Sequence, residues 1–205
     1  MTGPDIILVS GLPATGKSHF AHIAGRELGI PVLEKDGFKE VLFDDLGFRC
    51  REEKVRLGVA AMDEMYYTAA VLLEAGCPVI LDNNFENSSI PGLAALKERF
   101  GSRVINIRFT GDLDTVYGRF VLRDQDPTRH RGHIVNDCYP EPDGPRAYVP
   151  TGREAFERKF RERGVIDFSF GDALITVDAT DLAAVRPGEI LELLKEERRK
   201  PWPEE

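Results

Sequence analysis

The sequence predicts an α/β protein built on an open sheet, and three observations predict it. Apolar runs of strand length, at 5–9, 78–81, 103–109 and 173–177, alternate with longer stretches of 3.6-residue periodicity. The first run leads directly into a glycine-bearing stretch, residues 11–18, that opens a helix. The run at 78–81, PVIL, is apolar throughout, as in a strand covered on both faces.

Residues 11–18 read GLPATGKS and match G-x-x-x-x-G-K-[ST], the phosphate-binding P-loop. A triphosphate needs several backbone N–H groups aimed at it from one concave turn. Gly11 and Gly16 let the backbone curl and approach without a Cβ in the way. Ala14 and Thr15 complete the turn and are expected to bind nucleotide with the glycines. Lys17 can reach the β- and γ-phosphates, and the Ser18 hydroxyl can hold Mg²⁺. After the loop, Phe20, Ile23, Ala24 and Leu28 recur at helical spacing, and that helix points its positive end at the phosphates. Strand, glycine loop and helix is the context that the motif requires.

The first helix ends at Gly29 before Pro31, and 32–33 form a short second strand. Asp36 follows it. In an open α/β sheet, ligands sit beyond the carboxyl ends of the strands, which brings Asp36 beside the loop. There it can accept the proton of an attacking hydroxyl, or cap a helix over 38–43. A long helix is predicted over 52–74, where Tyr66 belongs to an apolar stripe. Strand 78–81 ends in Asp82, placed either to hold Mg²⁺ or to form an Asx turn. Asn83 and Asn84 are expected to line the substrate side.

Further along, helices are predicted at 90–100 and 112–123, with a fourth strand at 103–109 between them. The helix at 112–123 carries Arg119 and Arg123 at i, i+4, on one face. Arg129 and Arg131 follow in a polar, turn-rich segment. Such arginines can be delivered by a closing lid to the charge of a transferring phosphoryl group; the competing reading is a solvated helix with ion pairs to Asp124 and Asp126. His130 and His133 lack metal-ligand spacing. The stretch 136–150 reads as a long surface loop. A helix over 151–163 is predicted to start at Thr151, with Glu154 completing a capping box. A fifth strand at 173–177 and a terminal helix at 187–199 close the fold.

Length and charge bound the rest. At 205 residues the chain reads as a single domain, 1–205, with an inserted lid at about 119–136. The formal charge of −8 argues against loose binding to nucleic acid, so nucleic acid is a possible but not the favoured partner. No apolar run spans a membrane, and no signal peptide is read at the N-terminus. The three cysteines, Cys50, Cys77 and Cys138, fit a reducing cytoplasm.

Taken together, GLPATGKS, Asp36 with Lys39, Gly76 before VILDNN, and the arginine-bearing segment with RHRGH resemble the P-loop kinase superfamily. The likeness is to its zeta-toxin-like and polynucleotide-kinase-like group, whose members are often described as AAA-type ATP-binding proteins. It covers about residues 5–180. The resemblance implies the P-loop NTPase three-layer fold, a five-stranded parallel sheet flanked by helices. It implies ATP and Mg²⁺, a hydroxyl-bearing acceptor, Asp36 as general base, and Arg119 and Arg123 as lid groups acting with Lys17. Two positions depart from the group. Lys39 stands where members often carry arginine, a point charge in place of a bidentate fork, and Ser88 and Ser89 stand where many relatives have an arginine.

A rival class is a nucleotide-hydrolysing switch or assembly ATPase. The chain has no N-K-x-D base-recognition motif, and Asp82 is followed by Asn83 rather than by a second acid. Both features favour transfer to an acceptor over hydrolysis.

Overall fold

The computed structural model describes residues 3–201. Five strands, β1 (Ile6–Gly11), β2 (Val32–Glu34), β3 (Val79–Asp82), β4 (Val104–Thr110) and β5 (Ala173–Asp178), form one sheet in the order β2-β3-β1-β4-β5. Every pairing is parallel. β1 lies at the centre and is buried at all six residues, because helices cover both faces. Its side chains alternate accordingly. Ile7 and Val9 pack with α1 (Lys17–Leu28) and α8 (Pro187–Arg199), through Phe20, Ala24, Leu191 and Leu194. Ile6 and Leu8 pack on the other face with α3 (Arg51–Glu74) and α4 (Ile90–Phe100), through Met65, Leu73 and Leu93. The result is the three-layer α/β fold with a five-stranded parallel sheet.

Two smaller clusters position the site. Leu12, inside the glycine loop, is buried with Val116 of α5 (Leu113–Gln125) and with Phe156 and Phe160 of α7 (Arg153–Glu162). Phe43 of α2 (Lys35–Leu46) is fully buried with Phe48 and with Val135, just after the four-residue α6 (Arg131–Ile134). Parallel strands deliver all their carboxyl ends to one edge. Glu34 of β2 is in register with Asp82 of β3, and Asp82 with Val9 of β1. The loop, Asp36 and Asp82 therefore meet.

The structure revises three local expectations. The second helix starts at Lys35 rather than Phe38, so Asp36 sits within its first turn and is not its N-cap. A carboxylate there still favours the positive end of the helix. The helix predicted from Thr151 starts at Arg153, with Gly152 as N-cap and no side-chain cap; the Thr151 carbonyl instead accepts from the Tyr117 hydroxyl at 3.0 Å. The segment read as loop or solvated helix after α5 contains α6, held by an anchored aromatic cluster rather than by its own periodicity.

Candidate active site

The glycine loop has the shape its sequence demands. At Gly11 φ is 112°, and a Cβ would lie 1.9 Å from the Phe109 carbonyl oxygen, so no other residue fits between β1 and β4 here. Gly16 (φ 84°) is left-handed, and so is Ala14 (φ 58°), a non-glycine residue held in a sparsely populated conformation. Thr15 is fully buried, and its hydroxyl donates to the Leu12 carbonyl at 2.7 Å. That hydroxyl closes the turn. Asn84 braces the loop from below: its carbonyl accepts the Gly11 N–H at 3.0 Å.

Lys17 projects from the start of α1. Burial pushes its ammonium below the ordinary lysine range, against the pull of Asp82 and Asp36 and with the push of Arg123 and Arg129. Asp82 is 4% exposed. Burial raises its carboxyl above the usual range, opposed by Lys17 and by a hydrogen bond from Ser18. Its Oδ1 is buried with no hydrogen-bond partner. A buried, unsatisfied carboxylate oxygen beside a serine hydroxyl fits a hard divalent cation, which takes oxygen donors. Ser18 and Asp82 are the residues that would hold Mg²⁺.

Asp36 keeps 57% of its side-chain surface exposed. Burial alone would raise its carboxyl. His133 where it is protonated, and Arg129, Lys39 and Lys17 throughout, outweigh this and hold it below the usual carboxylate range. Arg129 Nη2 lies 3.5 Å from Asp36 Oδ2, and Arg129 Nε is buried without a hydrogen-bond partner. Arg123 is paired with Asp124 at 3.0 Å, and both it and Arg129 act on Lys17.

The arginines predicted as a group thus separate. Arg123 and Arg129 act on Lys17, and Arg129 also reaches Asp36. Arg119 Nη2 donates to the Ala179 carbonyl at 2.7 Å, just after β5. The Arg131 guanidinium grips Glu141 bidentately at 2.7–2.9 Å. Glu141 is almost fully buried and also binds Arg146, so the 136–150 loop is pinned from inside. Of the substrate-side residues, Lys39 flanks Asp36, while the Asn83 amide turns toward Met62 Sδ at 3.9 Å. Tyr66 packs in the core and donates to the Ser89 carbonyl at 3.1 Å.

What holds α6 over the cleft was not legible in the sequence. His133 Nε2 is 2.8 Å from Glu40, and His130 Nε2 is 3.0 Å from Asp44; the two carboxylates are i, i+4 on α2. Both histidines pack on Phe43 with ring centroids 5.8 and 5.9 Å away. Lys54, 4% exposed, reaches from α3 to the His133 carbonyl at 3.0 Å, to the Val135 carbonyl, and to Asn136 Oδ1 at 3.2 Å. Burial and the nearby Lys39, Arg51 and Lys159 push its ammonium down to about 7. A lysine inside an apolar helical stripe carries no sequence signal for such a role.

This docking has a pH signature. Burial, together with Arg129, Lys39 and His130, pushes His133 down to about 3, against the attraction of Asp36. Glu40 faces it from α2. Between that value and 6.5 the unfolded chain holds the proton and the folded chain does not, so stability rises with pH across this window and is lost as pH falls. The slope is at most about 1.4 kcal/mol per pH unit. In denaturant unfolding at pH 7 and pH 5, the wild type is expected to lose more stability than His133→Gln, which keeps a donor for Glu40. Equal losses would contradict the buried neutral imidazole.

Comparisons with known proteins bear on the fold. No family model and no curated protein matches the chain. Among solved structures, a protein of Chloroflexus aurantiacus J-10-fl described provisionally as a kinase aligns with a TM-score of 0.78 and 28% identity, covering 95% of this chain and 98% of that one. A gluconokinase from Sinorhizobium meliloti 1021 aligns at 0.52 and 15% identity, over 97% of each chain. The Mycobacterium tuberculosis APS kinase in complex with AMPPNP and APS aligns at 0.51 and 16%, over 95% of this chain and 99% of its own. Sheet order, glycine loop and these likenesses agree that the chain has the P-loop kinase fold.

Proposed function

We propose that the protein is an ATP-dependent phosphotransferase that moves the γ-phosphoryl group to a hydroxyl acceptor. The observation that supports this is the pairing of unlike carboxylates around Lys17. Asp82 is buried, raised in pKa and one oxygen short of a partner, while Asp36 is held ionised in the open half of the cleft. Environments that push two acids apart assign them different work. Asp82 with Ser18 suits a cation, and Asp36 suits a proton.

In this reading the backbone of 11–16 and Lys17 cradle the phosphates, and Ser18 and Asp82 would hold Mg²⁺, which would supply neutralisation of phosphate charge. Asp36 orients the acceptor hydroxyl and takes its proton. The acceptor oxygen bonds to the γ-phosphorus as the bond to the β,γ-bridging oxygen breaks. ADP leaves with that electron pair, and the proton passes from Asp36 to solvent. Arg123 and Arg129 stabilise the equatorial charge. Little covalent work falls to the protein in so loose a transition state, and so positioning and charge stabilisation accompany the proton transfer to Asp36.

We read the acceptor half as similar to the zeta-toxin-like and polynucleotide-kinase-like group, on Asp36, Lys39 and the two facing arginines. The three free thiols support a reducing compartment, the cytoplasm. Among the described residues no helix is long and apolar enough to cross a membrane.

The test uses ATP labelled at the γ-phosphate, magnesium, and separate pools of alcohols and 5′-hydroxyl oligonucleotides. Label on an acceptor is the expected result. Free phosphate alone, above background, would overturn transfer in favour of a hydrolysing ATPase.

A further inference from the structure

A helix as short as α6 has no stability of its own. Its four residues make too few internal hydrogen bonds to offset the ordering of the chain. Carbonyls at its end are left without partners inside the helix. Two of them, on His133 and Val135, accept instead from Lys54 Nζ on α3, 79 and 81 residues earlier in the chain. The same ammonium reaches Asn136 Oδ1 at 3.2 Å, an oxygen that Arg51 Nη1 also meets at 3.0 Å. The three N–H groups of one ammonium thus meet three acceptors of one short segment, at the negative end of the turn. Lys54 is 4% exposed and lies 5.6 Å from the Phe48 ring centroid. It is a C-terminal cap supplied by a different helix.

The segment so fastened carries Arg129, one residue before the N-cap of α6, His130. Arg129 is poorly held by its own contacts. Nη2 is 3.5 Å from Asp36 Oδ2, and Nε is 3.9 Å from Asp124 Oδ1 and has no hydrogen-bond partner. Charge attraction at such distances does not fix a guanidinium in one orientation. The chain that follows it must do so. His130 and His133 tie that chain to Asp44 and Glu40, which are exposed and half-exposed, and pairs of that kind contribute little. The Lys54 cap is the buried tie.

We propose, building on the phosphotransferase reading, that Lys54 is a positioning residue: by capping α6 from α3 it holds Arg129 against Asp36, where charge develops on the transferring phosphoryl group. Lys54 touches no reacting atom in this role and acts through Arg129. Its energetics fit. Burial, followed by Lys39, Arg51 and Lys159, depresses the ammonium against the attraction of Asp124, so its charge works against folding at neutral pH and below. An apolar side chain of similar length would fill the same space without that penalty. What the cation adds is the placement of the segment.

Two measurements test this. The first is a double-substitution cycle on transfer from γ-labelled ATP. Lys54→Met and Arg129→Gln are each expected to lower kcat about 100-fold, the scale of a small misplacement in a site that works by positioning. The two together should lower it no further than either alone, because one acts through the other. Losses that multiply, or a Lys54→Met enzyme as fast as the wild type, overturn the inference. The second is amide hydrogen exchange with Mg²⁺ and AMPPNP bound, which needs no acceptor. In Lys54→Met the amides of 129–136 should exchange about 10- to 100-fold faster than in the wild type, the scale of a lost hydrogen bond to a charged group, while β1 and β4 keep their protection. Unchanged protection of the segment overturns the inference and leaves the kinase reading intact. Exchange that quickens equally in the sheet makes Lys54 a structural residue and overturns it as well. Absence of AMPPNP binding, or hydrolysis without transfer in the wild type, overturns the kinase reading itself.

Discussion

Asp36→Asn is expected to lower phosphoryl transfer by about two to four orders of magnitude, the usual scale of a lost general base, with ATP affinity nearly intact. The amide keeps the shape and can still accept a hydrogen bond, but it cannot take a proton. The surroundings make this carboxylate a reactant rather than a structural acid. Arg129, Lys39 and Lys17 favour its ionised form, and more than half of its surface stays open. Its structural share is small, because a carboxylate in the first turn of a surface helix contributes only about 0.3–1 kcal/mol. Single-turnover transfer, measured beside nucleotide binding and thermal unfolding, separates the two roles. A transfer rate that survives the substitution would leave Asp36 as nothing more than a favourable charge at the start of α2.

The sequence carried the loop, the five strands and the positions of Asp36 and Asp82, for one physical reason. Each depends on local chemistry, namely glycine conformations, apolar runs and residues at strand ends. The limits of α4 and α8 were legible for the same reason, since Pro, Gly and apolar periodicity bound them. The sequence did not separate the four arginines. Arg123 and Arg119 share a helix face at i, i+4, yet one turns to Asp124 beside the loop and the other to the Ala179 carbonyl. Arg131 is claimed by Glu141 through a fold of the 136–150 loop that no periodicity announces. Tertiary partners decide what a long charged side chain does, and a one-dimensional pattern does not record them.

Lys17→Ala is expected to reduce transfer by about two to three orders of magnitude, as when one preorganised charge-stabilising donor is removed, and to weaken ATP binding with it. This loss should come without loss of stability, and that second half makes the prediction sharp. Burial, with Arg123 and Arg129 added, pushes the Lys17 ammonium below its ordinary range, even though Asp82 and Asp36 oppose the shift. A lysine lowered in the folded state binds fewer protons there than in the unfolded chain. Its charge therefore works against folding at every pH below the depressed value. A side chain kept at such a cost in an otherwise well-packed loop is explained by a ligand that repays it, and the negative charge of a triphosphate does so. The thermal midpoint of Lys17→Ala without nucleotide should equal or exceed that of the wild type, while the midpoint with ATP and magnesium should rise less, since stabilisation by ligand scales with affinity. A variant that unfolds earlier without nucleotide would make Lys17 a structural residue. Unchanged ATP affinity and rate would remove the phosphate loop, and the phosphotransferase reading with it.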